Sequence, residues 1–345
     1  SRSYGCADSA DPSSARANFD EVLALMASGA LDVAPLLTAC QPFSAAPGIY
    51  DDLRRPGAYG LLIDYAVAPE AAGRTIPGLV ASRPARAVGL IGCGNFAARV
   101  LVPELRRLGA GPSVYASANG LSAKLLAGEA WTATTEPRTV LADPALKAVF
   151  VATRHDDHGE LARTALRAGK HVWVEKPLAL TEADLEATLA VARSSPAILA
   201  VGFNRRFAPL AVRLRGALAA QPGPRRFVVD VNAGRLPADH WALDPRQGGG
   251  RIVGEACHFV DLLRFLAGAA LVSAHAISRD TDGQDGGCFE LGFANGDQAT
   301  LNYRTDLPAH LPKEHLTVSG DGWSAAIENW RSLRVVLRIL GEPRR

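Results

Sequence analysis

Ala87-Val88-Gly89-Leu90-Ile91-Gly92-Cys93-Gly94-Asn95-Phe96-Ala97 runs from a short apolar stretch into a glycine pair. A helical pattern of Ala98, Val100, Leu101, Leu105 and Leu108 leaves it. This pattern predicts strand, tight turn and helix, the opening unit of a dinucleotide-binding fold. Gly92 permits the turn, Gly94 lets the backbone approach a pyrophosphate, and Ala97 keeps helix and strand close. Free N–H groups at the helix start, reinforced by the helix dipole, favour the phosphate charge, so Asn95 and Phe96 join the candidate cofactor contacts. The alternative is a glycine turn in some other α/β unit. Pro103 lies within the helical pattern and predicts a kink.

Downstream of this turn the rhythm continues. Strands are expected at 111–116, 146–153, 171–174 and 197–202, with helices at 121–126, 158–167 and 182–192 between them. Strands alternating with helices imply a parallel, doubly wound sheet, an α/β Rossmann domain over 87–203. Beyond about residue 222 the character changes. Expected strands at 226–232, 271–277, 288–293, 298–303, 314–319 and 333–340 enclose only one long helix, at 251–267. A substrate-binding α+β domain over 204–345, with an open, mostly antiparallel sheet, fits this pattern.

Upstream, Pro69, Gly73, Pro77, Gly78 and Pro84 mark 66–86 as a linker. Residues 1–17 read as irregular. A helix is expected at 18–28, stopped by Gly29, then an extended stretch at 31–37, a short helix at 45–53 and a strand at 60–65. This piece is too small to bury a core of its own.

An acid that would hold the adenosine ribose is missing from the end of the second strand, where the chain reads Ala116-Ser117-Ala118-Asn119-Gly120. Ser117 removes the charge that repels a 2′-phosphate, and Lys124 is near in sequence, so the reading leans to NADP over NAD. At the end of the 171–174 strand stands Glu175-Lys176-Pro177. A lysine there faces the crevice in which such sheets bind ligands, and Pro177 turns the chain. A strand-end surface lysine is the plainer reading of the tripeptide alone.

In combination, these motifs resemble the glucose–fructose oxidoreductase, inositol dehydrogenase and MocA-like family. The resemblance rests on Gly92 to Ala97, Val151-Ala152-Thr153 with His158, and Ala168-Gly169-Lys170-His171 leading into Glu175-Lys176-Pro177. It continues through Gly202-Phe203-Asn204-Arg205-Arg206-Phe207 and Gly248-Gly249-Gly250 to His258 and Asp261, about three quarters of the chain. It implies an oxidoreductase that moves hydride between a nicotinamide and a secondary alcohol or ketone of a sugar or polyol. Lys176 and His258 would handle the proton, and Thr153, His158, Glu175 and Arg206 would join the cofactor contacts. The family pattern places Asp four residues before the histidine; this chain has Gly254 there and Glu255 one step later, on the same helical face. Glu255 is therefore the third candidate catalytic group. Asn204, His240, Trp241 and Asp261 are candidate substrate contacts, the aromatic face of Trp241 suiting a sugar ring. Two other readings stay open: a nicotinamide-dependent glycosidase of the same superfamily, and a catalytically degenerate nucleotide-binding protein.

Leu25 to Thr38, with Pro42-Phe43, Ala46-Pro47 and Tyr50, resembles the C-terminal tail of a zinc-type medium-chain alcohol dehydrogenase, without that family's zinc ligands or nucleotide motif. Residues 1–65 thus read as the remnant of a fusion partner, as in bidomain oxidoreductases. The family continues past its last strand into closing helices, so an end at Gly341–Arg345 predicts truncation.

A net charge of +2 gives no reason to expect nucleic acid or an anionic membrane as partner, and no apolar run reaches the roughly 20 residues of a membrane span. No signal peptide opens the sequence. Five scattered cysteines without a C-x-x-C pair predict reduced thiols in a cytoplasm. His155, Asp156, Asp157 and His158 lack a partner cluster, and a helix start explains the acids, so no metal is expected. The expected partners are a carbohydrate-like small molecule and, through the open sheet, further copies of the chain as a homo-oligomer.

Overall fold

The computed structural model describes residues 12–52, 54–65, 74–80, 87–221, 223–280, 283–308 and 310–337. Residues 1–11 of the stretch expected to be irregular (1–17), 66–73 and 81–86 of the expected linker (66–86), and residues 338–345 lie outside them. The chain divides into two compact units, Ser1–Gly73 and Arg74–Arg345. Among the described residues, no helix is long and apolar enough to cross a membrane.

In the first unit, helix α1 (Pro12–Ala27) precedes Gly29, which adopts φ +75°. Strands β1 (Leu37–Pro42) and β2 (Gly60–Asp64) pair in parallel. The helix expected at 18–28 begins at Pro12, so 12–17, expected to be irregular, is helical, with Pro at its first position. Two further expectations shift here. The extended stretch at 31–37 is a turn until Leu37, because Asp32 accepts the Ala34 N–H (2.9 Å) and Pro35 opens a single 3₁₀ turn. The helix expected at 45–53 is a 3₁₀ run, Phe43–Gly48, ahead of the short α2 (Ile49–Asp52). Pro47 and Gly48 are the poorest helix formers.

The second unit opens on a seven-stranded sheet. Its strands are β3 (Thr75–Ile76), β4 (Val88–Ile91), β5 (Pro112–Ala116), β6 (Thr132–Thr134), β7 (Ala148–Val151), β8 (His171–Val174) and β9 (Leu199–Val201). Their order is β3-β6-β5-β4-β7-β8-β9, parallel except at β3. Helices α3 (Val102–Arg107), α4 (Gly120–Ala127), α5 (Pro137–Ala142), α6 (His158–Arg167) and α7 (Glu182–Ser194) connect them. β4 and β5 are buried along their whole length, as strands covered on both faces must be. From β4 the chain moves first towards β5 and β6, then returns to β7 on the other side. The carboxyl end of β4 is therefore the topological switch point, where such sheets open a crevice.

Part of the expected linker belongs to this sheet. Thr75 and Ile76 pair with β6, the Thr75 and Thr134 hydroxyls lie 2.9 Å apart, and the Leu79 N–H reaches the Glu129 carbonyl. The Pro/Gly-rich composition is real, but backbone pairing at a sheet edge needs no apolar pattern. The kink expected at Pro103 is absorbed differently. Ala97–Leu101 forms a wider π turn that becomes α3 at Val102, whose N–H reaches back to the Ala97 carbonyl.

The second sheet holds β10 (Arg226–Asn232), β11 (Leu271–Arg279), β12 (Gly287–Phe293), β13 (Gln298–Arg304), β14 (Glu314–Gly320), β15 (Trp323–Glu328) and β16 (Ser332–Leu337). Their order is β11-β12-β13-β10-β14-β15-β16, antiparallel except between β10 and β13. Alternation drives one face inward. Phe227, Val229, Leu301, Leu316 and Val318 pack on Leu214 and Leu218 of α8 (Pro209–Ala219) and on Leu262, Leu263 and Leu266 of α9 (Cys257–Ala267). Ahead of α9, Ile252–Ala256 winds as a second π turn, so the helix expected at 251–267 is present in two parts.

Candidate active site

The glycine turn sits at the switch point. Gly92 adopts φ +97°, and a Cβ there would collide with the Ala152–Thr153 backbone, so no other residue fits. At Gly94 a Cβ would meet no heavy atom within 4 Å, which leaves open the approach a pyrophosphate requires. The helix that follows makes its first internal bond from the Ala98 N–H to the Gly94 carbonyl, so the N–H groups ahead of it are without helical partners. Asn95 and Phe96 are exposed beside them.

Ser117 ends β5, its hydroxyl 2.9 Å from that of Ser122, and Asn119 caps α4 by accepting the Leu121 N–H. Lys124 turns away, its Nζ on the Gly128 carbonyl (2.9 Å) and Glu129 (3.2 Å), so its nearness in sequence counts for nothing at this edge. The cation on the β6 side is Arg74, whose carbonyl receives the Thr135 N–H and whose guanidinium pairs with Glu136 at 2.5 Å.

At the end of β8, Glu175 and Lys176 turn into the crevice. Glu175 Oε2 accepts the Lys176 N–H (3.2 Å), while its buried Oε1 has no partner among the described residues. Burial pushes this carboxyl up from 4.5 to about 7. An orphaned acceptor at the end of β8, next to Gly202, fits a cofactor that brings its own hydroxyl or amide donors. Thr153 lies at the crevice with its hydroxyl on the Arg154 carbonyl. His158 does not face the crevice. It is fully buried, with Nδ1 2.8 Å from the Pro177 carbonyl and Nε2 3.3 Å from that of Thr153. It ties the loop after β7 to Pro177, next to Lys176.

Lys176 Nζ donates to the Gly254 carbonyl at 2.6 Å. It lines a cavity of about 240 Å³ together with Glu255, His258, Tyr303, Lys313 and Glu314. Glu255 accepts the Tyr303 hydroxyl and two Arg251 nitrogens (3.3 and 3.2 Å). Burial opposes its charge, but Tyr303 and Arg251 prevail and hold the carboxyl below its ordinary range. His258 is buried with Nδ1 unpartnered, and burial first, then Lys176 and Arg205, push its pKa down to about 2. The imidazole is neutral at any physiological pH. The glycine in place of the family aspartate also has a steric cause: a Cβ at Gly254 would lie 2.8 Å from His155 Cε1 and 3.1 Å from the Gly248 carbonyl.

Other expected contacts are not brought into this cavity. Arg206 and Asp261 pair with each other through two hydrogen bonds, with Asp261 buried, which removes both from cofactor or substrate duty. Asn204 is exposed on a 3₁₀ turn outside the cavity. His240 Nδ1 accepts the Ala242 N–H, capping its turn. Trp241 packs edge-on against His155 (centroids 4.8 Å) under the Arg154 guanidinium, locking its loop to the first sheet. Sequence reasoning missed Tyr303, Lys313 and Glu314. Arg205 forks onto Glu314 (2.6 and 3.2 Å), which also accepts the Trp330 indole N–H. Among the described residues, no group of three or more His, Cys, Asp or Glu could hold a metal.

A family model described as the oxidoreductase family with an NAD-binding Rossmann fold matches residues 86–203, and the GFO/IDH/MocA C-terminal domain matches 223–325. The chain belongs to the Gfo/Idh/MocA oxidoreductase family. It is 32% identical over 205 residues to a 1,5-anhydro-D-fructose reductase of Ensifer adhaerens, covering 55% of this chain and 59% of that protein. It is 33% identical over 198 residues to inositol 2-dehydrogenase 2 of Saccharopolyspora erythraea, covering 55% and 56%. The chain thus spans less than two thirds of the length of these relatives. Among solved structures it is similar to an NAD-binding protein from Listeria innocua (TM-score 0.61, 26% identity, 73% of this chain and 76% of that one). It shares the fold of the aldose-aldose oxidoreductase of Caulobacter crescentus (TM-score 0.64, 22% identity, 73% and 80%).

Proposed function

We propose that this chain is a nicotinamide-dependent oxidoreductase acting on a secondary alcohol or carbonyl of a sugar- or polyol-like molecule. The observation that carries this reading is the meeting of Lys176, Glu255 and His258 around one small cavity beside the switch-point crevice. The turn at Gly92–Gly94 and the N–H groups after it would hold the pyrophosphate, and Glu175 would accept from the nicotinamide half. A bound nicotinamide would supply or accept the hydride. Lys176, fixed on one side by the Gly254 carbonyl, keeps its remaining N–H bonds for the substrate oxygen and stabilises negative charge there. His258, whose Nδ1 has no partner among the described residues, would take the hydroxyl proton in oxidation and return it in reduction, a role that burial and the Lys176 charge oppose until substrate and coenzyme are bound. Glu255, kept ionised, accepts a neighbouring substrate hydroxyl and so orients the ring.

The lean to NADP now rests on Ser117 and on Arg74, which would have to leave Glu136 to meet a 2′-phosphate, while Lys124 is held by Glu129 and the Gly128 carbonyl. The reading of 1–65 as the remnant of a medium-chain dehydrogenase is supported by the parallel β1–β2 pair and by Phe19 and Leu23, 72% and 58% exposed, as in a piece cut from a larger sheet. Homo-oligomer formation rests on the outer face of the second sheet, where Arg226, Asp230 and Gln298 are exposed. A cytoplasmic location rests on the scattered cysteines.

The test is coenzyme-coupled turnover across a panel of sugars and polyols, with Lys176→Ala alongside. Loss of about 10²- to 10⁴-fold in kcat with coenzyme affinity retained is the expected result. Undiminished turnover by Lys176→Ala would refute the assignment.

A further inference from the structure

The charges around the 240 Å³ cavity do not balance. Its two carboxylates are already charge-paired, Glu255 with Arg251 and Glu314 with Arg205. Each carboxylate therefore has its own guanidinium, and the two ammonium groups on the wall are left over. Among the described residues, Lys176 Nζ bonds to a neutral carbonyl and no carboxylate pairs with Lys313. Lys176 serves the reacting oxygen. Lys313 stands just ahead of Glu314 at the start of β14, exposed at the cavity wall, with no opposite charge paired to it among the described residues. Such a field suits an anionic substrate and disfavours a neutral one.

We propose that the substrate is a polyhydroxylated carboxylate, a uronate or aldonate, whose carboxyl group is read by Lys313 while its reacting carbon lies at Lys176 and His258. This rests on the oxidoreductase reading above and adds the substrate class. A carboxylate is favoured over a phosphate because the one ammonium left over beside Lys176 balances the single charge of a carboxylate rather than the roughly two of a phosphate monoester. Its one guanidinium fork, on Arg205, is occupied by Glu314. The size agrees: the cavity is smaller than the roughly 300–1,000 Å³ of drug-sized pockets and suits one monosaccharide.

The test is calorimetric titration of the full chain, first with NADH, then as the NADH complex with D-glucuronate, D-gluconate, D-glucose, D-glucitol and D-glucose 6-phosphate. The acids are expected to bind about tenfold more tightly than their neutral counterparts, the discrimination of one partly screened ion pair. In Lys313→Ala the acid-to-neutral ratio should fall to near one, in Lys313→Glu it should invert, and in Lys313→Arg it should return. A misfolded variant would lose NADH binding as well, which separates structural damage from lost selectivity. Acids binding no better than neutral sugars to the NADH complex would overturn this inference and leave the oxidoreductase reading standing. Preference for the phosphate over both acids would overturn the carboxylate. Failure of NADH to bind would overturn both.

Discussion

Gly254→Ala sets two effects of opposite sign against each other. Gly254 lies in the π turn that leads into α9, and on helix propensity alone alanine should stabilise it by about 1 kcal/mol. The added methyl, however, would stand 2.8 Å from His155 Cε1 and 3.1 Å from the Gly248 carbonyl. Neither neighbour is free to yield. His155 is buried, its Nδ1 is 2.8 Å from that same carbonyl, and its ring packs against Trp241 and His158. Overpacking a site of this kind costs about 1–3 kcal/mol, so the net expectation is a loss of about 1 kcal/mol. In a chain of this size that lowers Tm by roughly 2–4 °C. The Gly254 carbonyl also holds Lys176 Nζ, and a displacement near 1 Å there would cost up to about 10²-fold in kcat. Thermal unfolding and coenzyme-coupled turnover read the two effects. A Gly254→Ala protein as stable as the parent would refute the steric reasoning, and with it the reason an aspartate is excluded from this position.

Arg206→Ala should destabilise the fold by roughly 3 kcal/mol, because it strands the buried Asp261 carboxylate, while leaving coenzyme Kd unchanged; a denaturant titration beside a binding titration separates this from a cofactor role. Glu175 is raised from 4.5 to about 7, so the folded protein holds that proton more tightly than the unfolded chain does. Its contribution is present below the unfolded pKa of about 4.5 and is lost as pH rises towards 7, so Glu175→Gln should flatten the fall in Tm across that window. Arg74→Ala should weaken NADPH several-fold with little change for NADH; equal effects on both would remove Arg74 from the 2′-phosphate.

What the sequence disclosed depended on how each element signals itself. The strands of the first sheet are covered on both faces and appear as short apolar runs, so β4, β7 and β8 stood out, and the glycines marked the turn that no side chain could replace. Thr132–Thr134 is too short and too polar to do so, and Thr75–Ile76 joins the sheet by backbone pairing among prolines and glycines. Lys176 and His258 were singled out because the family resemblance implies them, and Glu255 because it shares a helical face with His258. The residues that complete the cavity were not. Tyr303 sits at an inward position of an alternating strand and reads as ordinary core, and Lys313 and Glu314 read as a polar strand start. The misassignments share one cause. Arg206 and Asp261 are 55 residues apart, and His158 and Pro177 are 19 apart, so a polar side chain that looks free in sequence is claimed by a distant partner in the fold.

Calorimetric titration of the purified chain with NADH and NADPH, repeated with Lys176→Ala, bears most directly on the central assignment. Binding of at least one coenzyme, retained in Lys176→Ala while turnover is lost, is the predicted result. Absence of binding by either coenzyme to a folded chain would contradict it.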